Sequence, residues 1–234
     1  MKLTEQYRKQ IEDLVEACHR CAQLGYVTSS GGNLSYRVGE NTILITPTKT
    51  PKRLMRFENI CIIDNDGKTI YAPEGKKPTG ETPFHVRIMK LRPDVKAIVH
   101  SHPPVLTGIA CTESDILSKA VLPEPALEVG PILNVEYATP LSETLSENFD
   151  KVIHKSNGFL MNNHGALFCN CSDISEAVEY TEMVEAMAKS VVVAQTIDKC
   201  RTLTANDISE LDNVIAVRGL KTPGYGTSTL SEIF

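Results

Sequence analysis

The sequence predicts an α/β protein built in three layers, α/β/α: one central mixed, mostly antiparallel sheet with helices covering both faces. Three observations carry this. Short apolar runs of strand length recur along the chain. Helical stretches fall between them without strict β-α-β alternation. The N-terminal strands are linked by tight turns, which force antiparallel neighbours.

Each element can be justified in order. Residues 5–24 place Ile11, Leu14, Val15, Cys18 and Ala22 on one helical face, and Gly25 is placed to stop that helix. SSGGNLSYRV (29–38) begins as a polar, glycine-rich loop and continues as an alternating strand. TILIT (42–46) pairs with it across Gly39-Glu40-Asn41, and NICIID (59–64) turns through Asn65-Asp66-Gly67 into KTIYA (68–72). A helix is expected over 78–93, with Thr79 marking its start and Pro93 its end. VKAIVHSH (95–102) reads as a buried strand, 104–120 as helix, 130–137 as strand and 142–155 as helix. The apolar run 158–169 reads as one further strand, and 173–197 and 202–220 as helices. The expectation is a single domain over 1–220 and a C-terminal tail over 221–234, without repeats or low-complexity linkers.

Composition excludes several classes of function. The chain has 234 residues, 41% of them hydrophobic, enough for one substantial core. No run of 18 apolar residues is present, so no membrane span is expected. A net charge of -5 without a basic stripe argues against nucleic-acid binding. The charged, helix-periodic N-terminus does not read as a signal peptide, and the seven cysteines form no dense framework; reduced thiols in a cytoplasm are the simplest account. Cys18-x-x-Cys21 sits inside a helical pattern and Cys169-x-Cys171 has the wrong spacing for a zinc knuckle, so both pairs read as structural thiols.

The chemistry concentrates around AIVHSHPP (97–104). Residues two apart on a strand share a face, so His100 and His102 project together while Ser101 points away. Two imidazoles on one strand face make two legs of a metal site, though H-x-H also arises by chance. His164, in NNHGAL, interrupts an apolar run; alone it would fit a satisfied core histidine, but with the pair it makes three ligands and one open position. Glu81 lies in the first turn of a helix, where it either complements the helix dipole or acts as a base beside the metal. The loops SGGN (30–33), TPTKT (46–50) and PTGE (78–81) carry backbone N–H groups, hydroxyls and Lys49, as an anion site would.

In their order and spacing, SSGGNLSYRV, ITPTKTPKRL, PTGETPFHVRIMKLRPDVKAIVHSHPP, VEYATPLSETLSE and NNHGALF resemble the class II aldolase/adducin family, from about residue 8 to residue 200. The resemblance implies a class II aldolase-like fold, with His100, His102 and His164 binding Zn2+ (or Mn2+ or Co2+) and Glu81 shuttling the proton. It also implies a phosphate cradle at Gly32, Asn33, Thr48, Lys49, Thr79 and Gly80, and cyclic homotetramers with the active site between subunits. The implied activity is cleavage of a small phosphorylated ketose to dihydroxyacetone phosphate and an aldehyde through a metal-stabilised enediolate. Same-fold alternatives are decarboxylation of a phosphorylated keto acid and dehydration of a sugar phosphate. An epimerase is disfavoured because that branch has Asp where Glu81 stands, and a non-catalytic adducin-like head because such heads lack the histidines. Two departures matter. Lys49 stands where the family usually has glycine, which suits a substrate carboxylate. Residues 112–136 lack the tyrosine that the aldolases use as a second proton donor, leaving Tyr225 in the tail as a candidate.

Overall fold

The computed structural model describes residues 3–226 and 228–234. The chain begins with a short turn of helix, α1 (Leu3–Gln6), and an amphipathic helix, α2 (Arg8–Gln23), which buries Ile11, Leu14, Ala17, Cys18 and Cys21. Gly25, at φ +74°, takes the left-handed conformation that ends it. Two hairpins follow: β1 (Asn33–Gly39) with β2 (Thr42–Ile45), and β3 (Cys61–Ile63) with β4 (Thr69–Tyr71). Helix α3 (Thr82–Leu91) leads into β5 (Ala97–Ser101). Next come α4 (Pro104–Ala110), α5 (Pro123–Glu128), β6 (Leu133–Val135) and α6 (Glu143–Glu147). Strands β7 (Gly158–Met161) and β8 (Gly165–Asn170) precede α7 (Ile174–Ile197), α8 (Ala205–Arg218) and α9 (Leu230–Ile233).

The strands form one eight-stranded sheet in the order β4-β3-β2-β1-β5-β8-β7-β6, in which only β6–β7 is parallel. Strand alternation sorts the core into two faces. Ile98 of β5 joins Ile43, Ile63, Phe159 and Leu167 beneath α3 and α6. Ala97 and Val99 face the other way, among Leu14 and Cys18 of α2 and Ile174 of α7. The mixed sheet between two helical layers is the architecture the sequence implies.

Local differences are informative. The run 158–169 is a hairpin rather than one strand. Asn162, Asn163 and His164 form its turn, with Asn163 at φ +55°, because polar side chains cannot fill an interior sheet position unpaired. The expected helices over 104–120 and 142–155 are shorter; each gives way to 3-10 turns, at Ile116–Ser118 and Asn148–Lys151. All seven cysteines are free thiols, and burial pushes those of Cys18 and Cys169 up to about 12, which makes them poor nucleophiles. Among the described residues no helix is long and apolar enough to cross a membrane.

The C-terminal segment is tied to the body. Arg92, fully buried, donates through Nη2 to Gly224 O at 2.7 Å and through Nη1 to the carbonyls of Ile153 and Ser156, while pairing with Asp94 at 2.8 Å. Leu230 is also fully buried, and its N–H donates to Asp212. Replacing Arg92 with Met strands these acceptors, and should cost about 3 kcal/mol or more in chemical denaturation. A cost below about 1 kcal/mol would mean the guanidinium is not the clasp.

Candidate active site

The site is assembled where β5 ends. Antiparallel registers place His100 between Asn33 of β1 and Leu167 of β8, on the face that packs against α3. His100 is wholly buried, and its Nδ1–H donates to Ala166 O at 3.0 Å, so Nε2 carries the free lone pair. His102 follows the strand, its backbone N–H held by Tyr26 O at 2.7 Å. His164 arrives from the β7–β8 turn, and its Nδ1 is buried without a hydrogen-bond partner.

One nitrogen from each ring lies within 4.8 Å of the others. Nε2 of His102 is 3.3 Å from Nε2 of His100, with ring centroids 4.7 to 5.5 Å apart. Burial, then the neighbouring His102 and His164, holds His100 well below the usual imidazole range. Burial, then His164 and Lys52, pushes His102 down to about 4. These rings are therefore neutral near pH 7, with lone pairs converging. Three imidazole donors and an orphaned ring nitrogen fit a divalent transition metal with an open position. The donors suit Zn2+, Mn2+ and Co2+ alike and do not choose among them.

Glu81 caps the start of α3 and meets this group from the side. Its Oε2 is 3.5 Å from His100 Nε2 and its Oε1 3.6 Å from His164 Nε2. Close approach depends on two glycines. A Cβ at Gly165 would stand 2.5 Å from His102 Cδ2 and 2.7 Å from Ser101 O; one at Gly32, where φ is +65°, would stand 2.7 Å from His100 O.

The loops expected to cradle an anion do converge beside Glu81. Pro47 bridges Pro78, Thr48 N–H donates to Lys77 O, and Thr79 N–H donates to Thr46 O. Those two backbone donors are spent on joining the loops. Gly80 lies next to Leu141, whose Cδ2 would be 2.9 Å from a Cβ at that position. Lys49 is held at φ +54°, in the region that favours the glycine the family usually has. Tyr225 is not brought to the histidines of its own chain. Its N–H donates to His154 O and its ring stacks near Arg92, beside the end of the sheet where Ala97 pairs Asn170, whereas the site lies where Ser101 pairs Ala166.

Two residues have no part in the sequence reading. Lys52 is 1% exposed, with Nζ 3.4 Å from Ser30 O and 3.5 Å from Thr50 O and no carboxylate ion pair among the described residues. Nothing in its local sequence announces a buried cation. His85, fully buried, follows Glu81 by four residues, a spacing that puts both on one helix face and could have pointed to it.

The family model for the class II aldolase and adducin N-terminal domain matches residues 12–192. This chain belongs to the class II aldolase/adducin family. It is 30% identical to the 3-oxo-tetronate 4-phosphate decarboxylase of Haemophilus influenzae, over 87% of this chain and 96% of that protein. It is 34% identical to an L-fuculose phosphate aldolase of Methanococcus maripaludis, over 76% of this chain and 93% of the relative. Among solved structures, YgbL from Klebsiella pneumoniae, assigned no more narrowly than aldolase/epimerase/decarboxylase, superposes with a TM-score of 0.80 at 27% identity, covering 87% of this chain and 98% of its own. An L-fuculose 1-phosphate aldolase shares the fold, with a TM-score of 0.79 at 23% identity, 89% of this chain and 96% of that one being covered.

The neutral rings set a pH dependence. Burial pushes His85 down to about 3, so in the metal-free protein His85, His100 and His102 all resist protonation when folded. The folded state then binds fewer protons than the unfolded chain below the ordinary histidine pKa of about 6.5. Stability is complete above that pH and falls as pH drops toward 4, by about 1.4 kcal/mol per pH unit for each histidine. Thermal unfolding of metal-free protein from pH 7.5 to 4.5 should show a steadily falling midpoint; a flat one contradicts buried neutral imidazoles.

Proposed function

We propose that the protein is a metal-dependent lyase that decarboxylates a phosphorylated 3-keto sugar acid, leaving a phosphorylated ketone. The observation that carries this is the pairing of three convergent histidines with one carboxyl group, Glu81, held 3.5 to 3.6 Å from two of them. His100, His102 and His164 would hold the cation, which when bound supplies Lewis acidity to the carbonyl oxygen of the substrate.

The remaining steps belong to the chain. The threonine hydroxyls and Lys49 hold the two anionic ends of the substrate. The bond between the carboxyl carbon and C2 breaks, CO2 leaves, and the electron pair stays on C2, in conjugation with the C3 carbonyl. Glu81 then gives its proton to C2 and recovers one from water.

Retro-aldol cleavage of a ketose 1-phosphate is the second reading, since it leaves the same three-carbon enediolate. It needs an additional base, because the hydroxyl on the departing carbon must lose its proton as the aldehyde forms. A carboxylate departs as CO2 without that help. The 112–136 segment has no tyrosine, and Tyr225 of the same chain lies at the other end of the sheet, so one proton handler suits decarboxylation better. The retro-aldol reading is favoured by the identity to the Methanococcus maripaludis aldolase and requires a neighbouring copy, as in a cyclic homotetramer, to deliver Tyr225.

The variants separate these roles. His100→Ala and His164→Ala should lose stoichiometric Zn2+ by metal analysis while keeping the fold; a variant that retains the metal removes that histidine from the ligand set. Glu81→Gln should retain Zn2+ and lose at least about a hundredfold in kcat. Assayed with 3-keto-tetronate 4-phosphates and ketose 1-phosphates, the wild type should release CO2 from the former; turnover of the latter alone would replace the decarboxylase by the aldolase.

Lys49 gives a sharper test of the substrate class. Lys49→Gly should relieve a strained backbone and leave stability equal or higher, while raising KM for the keto acid about tenfold or more. An unchanged KM would place the second anionic group elsewhere.

A further inference from the structure

Four buried polar side chains stand in a line beside the histidines. Ser35 Oγ is 2.7 Å from His85 Nδ1, His85 Nε2 is 2.5 Å from Asn33 Oδ1, and Asn33 Nδ2 is 2.7 Å from Glu81 Oε2. Ser35 and His85 are wholly buried, Asn33 is 5% exposed and Glu81 9%. The line interlocks two short-range periodicities. Asn33 and Ser35 are two apart on β1 and share its face; Glu81 and His85 are four apart at the start of α3 and share a helical face.

We infer that His85 is a positioning residue, which through Asn33 fixes which oxygen of Glu81 carries the working proton. The inference rests on the acid–base role of Glu81 proposed above. Its logic is one of donors and acceptors. A carboxylate, or a carboxyl group protonated on Oε1, can only accept at Oε2, so Asn33 must present its NH2 group to Oε2 and therefore its carbonyl oxygen to His85. Asn33 Oδ1 can only accept, so His85 must carry its proton on Nε2. The bare Nδ1 then accepts from Ser35 Oγ–H. Every link is forced once the carboxylate end is set, and burial keeps the His85 ring in its neutral, single-donor form.

The consequence falls on Glu81. Oε2 is engaged by Asn33, and a proton placed there would face an NH2 group and break the line. Oε1, 3.6 Å from His164 Nε2, is the oxygen left to take and return a proton. Without His85, the Asn33 amide can rotate and Glu81 gains a second arrangement in which neither oxygen is aimed. Three buried polar groups behind the carboxyl would be an expensive way to fill space that apolar side chains fill better.

The tautomer can be read directly. Long-range 1H–15N correlation spectra of the wild-type protein, zinc-loaded and metal-free, should show His85 with Nε2 protonated and Nδ1 bare; the opposite tautomer overturns the inference. Independently, His85→Phe should lower kcat about ten- to a hundredfold with KM within about twofold and full zinc content. His85→Gln, whose Nε2 can still donate to Asn33, should recover most of the loss. Equal defects in the two variants, or a loss confined to KM or to zinc binding, would also overturn it. Should His85→Phe fail to fold, the tautomer and the His85→Gln kinetics decide. A wrong substrate class would leave the ring spectrum untouched, whereas an active Glu81→Gln would remove the acid–base role without altering the tautomer.

Discussion

The close passage of the β7–β8 turn over the end of β5 is the constraint on which the site depends. At Gly165 the turn runs so near to Ser101 and His102 that no side chain fits. That contact lets a histidine from the turn meet two from the strand. The same closeness lets Ala166 accept the Nδ1 proton of His100, which selects the tautomer with a lone pair facing inward. Register does the rest: Asn33 opposite His100 brings β1, and the loop before it, to the same point.

Bringing neutral rings together in a buried place has an energetic consequence. Without a cation, several lone pairs face one another, and burial penalises relief by protonating His100 or His102. A bound cation replaces repulsion with attraction in the folded state and finds no equivalent site in the unfolded chain. Metal affinity at this point is thus also folding free energy. The body that carries it is correspondingly well anchored, with a sheet covered on both faces and a buried arginine holding the C-terminal segment.

Much of this was legible in the sequence, and the limits have physical causes. Strand alternation alone put His100 and His102 on one side, the polar interruption and the helix start singled out His164 and Glu81, and the resemblance joined them in one site. The three-layer architecture followed from hairpin turns and helical periodicity. The split of 158–169 into two strands was hidden because the apolar runs Phe159–Met161 and Ala166–Cys169 flank the polar turn and a period-2 pattern reads straight through it. The polar triplet itself was the clue, and it marked the site. Lys52 was invisible, since a lysine on a polar loop is ordinarily solvated. His85 lay within a helix assigned on its apolar face, and its meaning depends on Ser35 and Asn33 of β1, 50 and 52 residues earlier in the chain.

On the reading proposed above, the chemistry turns on what happens to one carbanion. Both decarboxylation and retro-aldol cleavage leave an enediolate that needs a cation and one proton. They differ in the group that leaves, and so in whether a second proton must be removed from it. Within this chain, one carboxyl group faces the histidines and is held from behind by a neutral amide and a neutral imidazole. A lysine occupies a backbone position that glycine would hold with less strain. On the proposed reading, strain retained beside these loops is explained if the side chain meets a second negative group. A substrate with a carboxylate as well as a phosphate has one, and that carboxylate is also the group whose departure asks least of the site.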